Sequence, residues 1–184
     1  MRTPPSPYAI ALRDSPPEGL PLAYDLTGAF TENTFEGSEV DASRSTVSAE
    51  LDLYRTGHEV VARGALAGDL ATICSRCTDD ARVALDAPVE VVFVPRGTEI
   101  AATDEDDGDI AAAPEIVHYD DETIDLSETL REELLLALPL APLCREDCKG
   151  LCARCGKELN AGPCDCPEEP KDDRWSALRN VKLD

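Results

Sequence analysis

The stretch that decides the fold of this chain is CREDCKGLCARCGKELNAGPCDC, residues 144–166, in which six cysteines fall within 23 residues. Cys152 and Cys155 are separated by two residues, a spacing that lets one tight turn direct two sulfur atoms at the same ion. Cys164 and Cys166 follow after a short loop rich in turn-forming residues. These four cysteines predict a structural zinc site, which we call the local site.

Two further pairs of cysteines predict a second zinc site. Cys74 and Cys77 have the same two-residue spacing, and Cys144 and Cys148 are separated by three residues. A site built from these two pairs, which we call the bridging site, would fasten the body of the protein to the Cys-rich segment. The rival arrangement is a single ion bound by four of the six clustered cysteines, with Cys74 and Cys77 as a free pair. The sequence thus predicts one or two structural zinc ions.

Thiol redox chemistry is the alternative use of Cys74 and Cys77, because their spacing is that of a dithiol switch and Arg76 could lower a thiol pKa. The surrounding sequence lacks the strand, helix and strand pattern of thioredoxin-like proteins. Catalytic zinc is a poorer interpretation, since four thiolates leave no open position at which water could be activated. Structural zinc is therefore the preferred prediction.

The beginning of the chain and its hydropathy predict a cytoplasmic protein. Residues 1–7 do not lead into an uninterrupted apolar signal core, and no stretch of about 18 apolar residues occurs. Thiols stay reduced in the cytoplasm, which favours metal binding over disulfide bonds. No membrane partner is expected.

The charge of the chain is strongly acidic and unevenly distributed. Its 38 acidic and 17 basic residues give a net charge of -21. Residues 1–143 contain 29 acidic and 9 basic side chains, whereas residues 144–184 contain 9 acidic and 8 basic ones. Such a body repels nucleic acid and anionic lipid, and an aromatic content of 4% leaves few side chains for stacking on bases. A basic protein is the expected partner.

We divide the chain into an acidic body, residues 1–143, and a zinc-binding module, residues 144–184. Alternating apolar residues in the body predict strands, and a turn at residues 55–57 predicts a hairpin. Gly68 and Pro88 are expected to interrupt strands. The predicted strands cover residues 8–12, 20–26, 46–53, 59–66, 69–74, 82–94 and 116–119. The predicted fold class is α+β, with one main helix and an antiparallel sheet for which a barrel-like closure is an option.

The main helix is predicted over residues 126–138, where leucine recurs every four residues. Asp125 is placed to cap this helix, Glu128 to complete a capping box and Pro139 to end it. A second, short helix is predicted over residues 173–181, with an apolar face that would dock on the body. That face contains Trp175, Leu178 and Val181.

Residues 97–114 contain an acidic run at 104–109, which cannot bury itself and predicts a flexible, solvated loop. A calcium-binding loop is rejected. Thr103 and Pro114 would occupy its first and twelfth positions, where carboxylates are required.

Four passages carry a resemblance to a known family. They are Cys74-Ser75-Arg76-Cys77 after a β-hairpin, residues 124–140, residues 144–160 and Asp173-Arg174-Trp175-Ser176-Ala177-Leu178. In this order and spacing the chain, from about Leu51 onward, resembles the YceD family of large ribosomal RNA subunit accumulation proteins. Ala153 and Asp173 stand where the family pattern usually has proline, and neither is a predicted ligand.

The resemblance implies a non-enzymatic cytoplasmic factor in ribosome biogenesis, needed for normal accumulation of large-subunit (23S) ribosomal RNA. In agreement with this, the two histidines, His58 and His118, lie in no catalytic motif, and no Gly-rich phosphate loop occurs. The favoured partner is a basic ribosomal protein or the pre-ribosomal large subunit, held by the acidic body.

Direct contact with RNA through the zinc module is the other interpretation, although not the favoured one. It would use the basic side chains near the cysteines, which could equally serve only to screen the charge of zinc-bound thiolates. These residues are Arg145, Lys149, Arg154, Lys157, Arg174 and Arg179.

Overall fold

The computed structural model describes residues 6–14, 19–98, 115–120 and 123–167. In chain order the elements are β1 Ala9–Ala11, a 3-10 turn Leu12–Asp14, β2 Leu20–Asp25, α1 Ala29–Thr34, β3 Asp41–Thr56, β4 Glu59–Ile73, β5 Asp80–Pro95, β6 Glu115–Tyr119, β7 Thr123–Asp125 and α2 Ser127–Leu136. The predicted terminal helix, residues 173–181, and nearly all of the predicted acidic loop lie outside the described residues.

The central sheet has five strands in the order β2-β3-β4-β5-β6, and a small second sheet pairs β1 with β7. Strands β2 to β5 are antiparallel neighbours, but β6 runs parallel to β5, with Glu115 opposite Val91. The edge strands β2 and β6 are not paired with each other. The α+β class is confirmed in its broad form, whereas the expected antiparallel, barrel-like sheet is corrected to a mixed, open one. Alternation along a strand does not encode the direction of its neighbour.

Strand β4 runs without a break from Glu59 to Ile73, so the prediction that Gly68 separates two strands is wrong. Strand β3 passes very close to Gly64 and Gly68. A Cβ atom at these positions would collide with the carbonyl oxygens of Glu50 and Thr46. The glycines therefore permit the close approach of β3 and β4, and they do not end the strand.

Strand β5 is also continuous, so the predicted interruption at Pro88 is wrong. Pro88 lies opposite Ala65 of β4. On its other side β5 pairs with the described part of β6 over residues 91–95. Among the described residues, Pro88 thus lies where β5 has a single neighbour, a position at which the missing N–H is tolerated.

The inner face of the central sheet packs against the helices and forms the hydrophobic core. Inward and outward residues alternate along β3, where Leu51 and Leu53 are buried and Asp52 is exposed. Helix α2 contributes Leu130 and Leu134, both with 0% of their surface exposed. Burial of each such side chain contributes about 1.5–3 kcal/mol, so the register of the sheet is fixed by its apolar face.

Helix α2, Ser127–Leu136, is slightly shorter than the predicted helix over residues 126–138. The Asp125 carboxylate accepts a hydrogen bond from the Ser127 N–H at 2.9 Å, the type of contact expected of a capping residue. The Glu128 carboxylate accepts a hydrogen bond from Arg131 at 3.1 Å, so it does not complete the predicted capping box.

The predicted boundary at residue 143 falls in a segment after α2 that has no helix or strand. The division into a body and a zinc module stays a prediction. In the described part of the chain, no helix is long and apolar enough to cross a membrane.

Candidate metal centres

The structure brings together the four thiols of the bridging site. The sulfur atoms of Cys74, Cys77, Cys144 and Cys148 all lie within 4.8 Å of one another. Cys74 is 3.7 Å from Cys148, and Cys77 is 3.6 Å from Cys144. The first pair follows the end of β4 and the second pair follows α2, so the site joins the sheet to the Cys-rich segment.

The four thiols of the local site also converge. The sulfur atoms of Cys152, Cys155, Cys164 and Cys166 lie within 4.8 Å of one another, and those of Cys152 and Cys164 are 3.4 Å apart. Every ligand of this group comes from residues 152–166. All four ligands of the local site therefore lie on one short segment of the chain.

Both sets of sulfur atoms fit a tetrahedral metal ion. Zinc–sulfur bonds of about 2.3 Å place tetrahedral sulfur atoms about 3.8 Å apart, close to the 3.4–3.7 Å between three of the sulfur pairs. A disulfide bond would require about 2.05 Å. The two clusters of four cysteines could thus each hold a metal ion, and each supplies four sulfur ligands with no open position.

The first cysteine pair forms a tight turn at the end of β4. The carbonyl of Cys74 accepts a hydrogen bond from the Thr78 N–H at 2.9 Å, and the Cys74 N–H donates to the carbonyl of Asp79 at 2.8 Å. Thr78 has a φ of 62°, a left-handed conformation that is unfavourable for a β-branched residue. The turn leaves both thiols, Cys74 and Cys77, on one side.

In the local site, Cys152 and Cys155 form the same kind of turn with nearly the same geometry. The carbonyl of Cys152 accepts from the Gly156 N–H at 2.9 Å, and the Cys152 N–H donates to the carbonyl of Lys157 at 2.8 Å. Gly156 has a φ of 69°, which costs glycine little. Two stretches far apart in the sequence therefore form equivalent turns. We call the turn with Cys74 and Cys77 the first knuckle and the turn with Cys152 and Cys155 the local knuckle.

Backbone N–H groups around each knuckle favour ionisation of its first thiol. Burial opposes ionisation of Cys74, but N–H groups including those of Cys144 and Arg76 lower the pKa of Cys74 to about 6. The N–H groups of Cys155 and Arg154 lower the pKa of Cys152 to about 6. Each cluster thus offers at least one thiol that ionises readily, as metal binding requires.

The pKa values of other thiols indicate that each cluster holds few negative charges in the absence of a cation. The hydrogen bond from Asn160 lowers the pKa of Cys148. The Asp79 N–H lowers the pKa of Cys77, but burial and the neighbouring thiols outweigh it and raise that pKa. Neighbouring sulfur and burial raise the pKa of Cys166 to about 12. Only a cation would allow all thiols of a cluster to ionise together.

The two clusters differ in burial. In the bridging site, Cys74, Cys77 and Cys148 have 0%, 2% and 2% of their surface exposed, and only Cys144 is exposed. In the local site, Cys155 is exposed and the other three are half-buried. Redox-active cysteines are partially exposed, so the burial of Cys74 and Cys77 favours metal binding over the thiol redox alternative.

Arg76 has a role that its sequence position did not reveal. Its guanidinium Nη1 donates to the carbonyl of Cys148 at 2.8 Å, and its own carbonyl accepts from the Leu151 N–H at 3.1 Å. The adjacent Ser75 N–H donates to the carbonyl of Pro142 at 2.8 Å. These bonds clamp the first knuckle to the segment after α2.

The basic residues predicted as RNA or partner contacts are exposed where the structure describes them. Arg145 contacts Asp147 at 3.4 Å, and Lys157 Nζ donates to the carbonyl of Pro163 at 2.8 Å. Lys149 and Arg154 are exposed without such a side-chain contact among the described residues. Arg174 and Arg179 lie outside the described residues.

Comparison with known proteins identifies the family. Residues 62–182 match the family described as large ribosomal RNA subunit accumulation protein YceD, and this region includes all eight cysteines. The chain belongs to the YceD family. The predicted resemblance is confirmed.

Several relatives of this chain come from Mycobacterium species. A Mycobacterium tuberculosis protein described as uncharacterized is 32% identical over 144 residues, which cover 77% of this chain and 66% of the relative. A Mycobacterium leprae protein, also described as uncharacterized, is 27% identical over 135 residues, covering 73% of this chain and 58% of the relative. The chain thus spans less than two thirds of the length of these relatives.

A plant relative carries the family name. The large ribosomal RNA subunit accumulation protein YCED homolog 1, chloroplastic, of Arabidopsis thaliana is 37% identical over 59 residues, covering 32% of this chain and 18% of that protein. No solved structure matches the chain.

Proposed function

We propose that this YceD protein is a non-enzymatic cytoplasmic factor in ribosome biogenesis, which supports the accumulation of large-subunit (23S) ribosomal RNA and uses zinc as a structural ion. The description of its family supports the biological role. The proposal of metal binding is supported by the convergence of eight cysteines into two groups of four sulfur atoms. Zinc in such a group supplies cross-linking and no chemistry, because all four positions are filled.

The body acts through its surplus of carboxylates. Its arginines are largely engaged within the protein: Arg44, Arg63, Arg82, Arg96 and Arg131 form ion pairs with carboxylates, while Arg55 and Arg76 donate to backbone carbonyls. Because residues 1–143 contain 29 acidic and 9 basic side chains, many carboxylates keep no basic partner. This surplus attracts a basic surface and repels RNA.

The outer face of the central sheet is the surface best suited to this attraction. Glu50 and Asp52 of β3 and Asp86 of β5 are exposed on it. The helices pack on the opposite face. We propose that a basic ribosomal protein, alone or on a pre-ribosomal particle, contacts this open acidic face, with electrostatic steering of its approach.

Direct RNA binding through the zinc module is the second candidate, and one observation favours it. Lys149 and Arg154 are exposed, and no carboxylate pairs with them among the described residues. A zinc site of four thiolates carries a net charge of about -2, however, and these two cations offset only that much. The protein partner is therefore preferred.

Recovery of bound partners from cells, with and without nuclease, separates the two candidates. We expect ribosomal proteins to remain bound after nuclease treatment. Loss of every partner together with the RNA would overturn the proposed protein contact and support the RNA contact.

Charge variants sharpen the same experiment. Glu50→Gln, Asp52→Asn and Asp86→Asn together should weaken binding to the partner, since they remove three charges from the outer face. The matched control carries the same change of charge in and after α1, Glu32→Gln, Glu36→Gln and Glu39→Gln, and should bind nearly as the wild type does. Equal loss in both variants would show that net charge acts without a defined face.

The salt dependence of partner binding tests whether the zinc module contacts RNA. Lys149→Ala, Arg154→Ala and Lys157→Ala together should leave both the affinity and its salt dependence almost unchanged if the partner is a protein held by the sheet. If RNA is the partner, the same variant should flatten the salt dependence, because each lost phosphate contact lowers the slope by about one unit.

A further inference from the structure

Asn160 lies on the loop of the local site but contacts a ligand of the bridging site. The loop runs from Cys155 to Cys164, and Asn160 is half-buried near its middle. Its amide Nδ2 donates a hydrogen bond to the sulfur of Cys148 at 3.4 Å. Its Oδ1 accepts a hydrogen bond from the Lys149 N–H at 2.8 Å.

The two contacts join both polar atoms of the Asn160 amide to two adjacent residues, Cys148 and Lys149. Donation to sulfur stabilises the thiolate form of Cys148, which is the form that binds metal. Acceptance from the Lys149 N–H fixes the backbone next to that ligand, so the sulfur is held in position. Contacts of this kind to metal ligands typically change metal affinity by about 10–100-fold.

The loop itself is held against the same backbone. The Leu159 N–H donates to the carbonyl of Gly150 at 2.9 Å, and Glu158 pairs with Leu151 in an antiparallel bridge. The ends of the loop carry the local-site ligands, so an ion bound there fixes both ends. Asn160 is thus presented to Cys148 by a loop whose closure depends on the local site.

We propose that Asn160 couples the two metal sites, so that an ion in the local site strengthens binding of an ion in the bridging site. This inference rests on the metal binding proposed above and adds a positioning residue that links the affinities of the two sites. Because coupling between binding sites is reciprocal, an ion in the bridging site also strengthens the local site. The bridging site is then fully formed only when the Cys-rich segment is complete.

Cadmium titration of the full chain, followed by NMR of the bound metal, tests the role of Asn160 because each site gives its own resonance. In Asn160→Asp the side chain cannot donate to sulfur and adds a negative charge, and we expect the affinity of the bridging site to fall by about 10–100-fold. Glu158→Gln is the matched control on the same loop. It keeps the backbone pairing with Leu151 and should bind as the wild type does.

A double-mutant cycle tests the coupling itself. Cys164→Ser with Cys166→Ser removes the local site and should weaken the bridging site by a similar factor when Asn160 is present. In the Asn160→Asp background, the same removal should have little further effect. A protein in which Asn160 only stabilises the fold would instead show two independent losses that add.

The outcomes distinguish the coupling from the metal binding on which it rests. If the wild-type protein holds no metal, the proposed metal centres fail. If it holds two ions but Asn160→Asp leaves the bridging affinity unchanged, or if the cycle shows additive losses, the coupling is overturned and the metal centres stand.

Discussion

The bridging site and the local site each contain the same type of cysteine turn, but the two turns connect different parts of the chain. In the bridging site, the paired thiols Cys77 and Cys144 are 67 residues apart and the cluster packs with Ala81 and Leu143. In the local site, Cys152 and Cys164 are only 12 residues apart. The same local geometry therefore joins distant parts of the fold in one place and closes a short loop in the other.

The difference in loop length has an energetic consequence. The entropy of closing a flexible loop grows with the logarithm of its length, so a cross-link over 67 residues restricts the unfolded chain by about 1.5 kcal/mol more than one over 12. Burial adds to this difference, because a lost ligand in the bridging site leaves buried sulfur atoms unpaired. We therefore expect the bridging site to contribute more than the local site to the free energy of unfolding. We expect the local site to exchange its metal more readily.

The largest expected effect is the loss of a buried ligand. Cys148→Ser should release the bridging ion and lower the free energy of unfolding by more than about 4 kcal/mol. Cys155→Ser should release the local ion and lower the free energy of unfolding by only about 1.4–2.8 kcal/mol, which is the effect of a bridging site weakened by about 10–100-fold. Denaturant unfolding followed by circular dichroism, with a zinc count on each protein, measures both. Equal destabilisation by the two variants would contradict the comparison.

The next effect concerns the rate at which metal leaves. A chelator should remove one ion per chain in a fast phase and the second at least about tenfold more slowly, a difference of about 1.4 kcal/mol in barrier. Alkylation followed by mass spectrometry should mark Cys155 in the fast phase, because it is exposed. Labelling of the buried Cys74 before Cys155 would reverse the assignment of the labile site.

A smaller effect is expected from the backbone of the local knuckle. Gly156→Thr should cost about 1–2 kcal/mol at the local site, since a β-branched residue is unfavourable at a φ of 69°. Apart from the adjacent residues, no described atom lies within 4 Å of the added Cβ, so the cost is conformational. Metal affinity of the local site reports it. Gly156→Asn is the control and should cost less, because asparagine tolerates this conformation.

The smallest effect is the reverse change in the first knuckle. Thr78→Gly removes a residue strained at a φ of 62° but also loses the hydrogen bond from its hydroxyl to the Cys77 carbonyl. The greater freedom of glycine in the unfolded chain offsets part of the relief, so we expect a gain of at most about 1 kcal/mol in the free energy of unfolding. A clear loss of stability would show that the hydroxyl contact outweighs the backbone strain.

The grouping of the cysteines was predictable because a tetrahedral ion needs four ligands and the chain offers four closely spaced pairs. The structure brings the same two sets of four together, while zinc as the metal stays a prediction. The hairpin of β3 and β4 and the capped helix α2 were also predictable, since turn residues and apolar periodicity are local signals.

Features that depend on distant parts of the chain were not predictable in this way. Gly68 read as a strand end because its contact with the Thr46 carbonyl belongs to a neighbouring strand. The alternation of buried and exposed residues in β6 does not reveal that this strand runs parallel to β5. Arg76 and Asn160 were ordinary polar residues until the fold placed them against the carbonyl and the sulfur of Cys148.

The length of β4 sets the distance between the β3–β4 turn and the metal-binding end of the molecule. Its 15 residues, Glu59–Ile73, extend over about 50 Å from the hairpin turn to the first knuckle. The strand thus acts as a spacer between the β3–β4 turn and the metal-bound end.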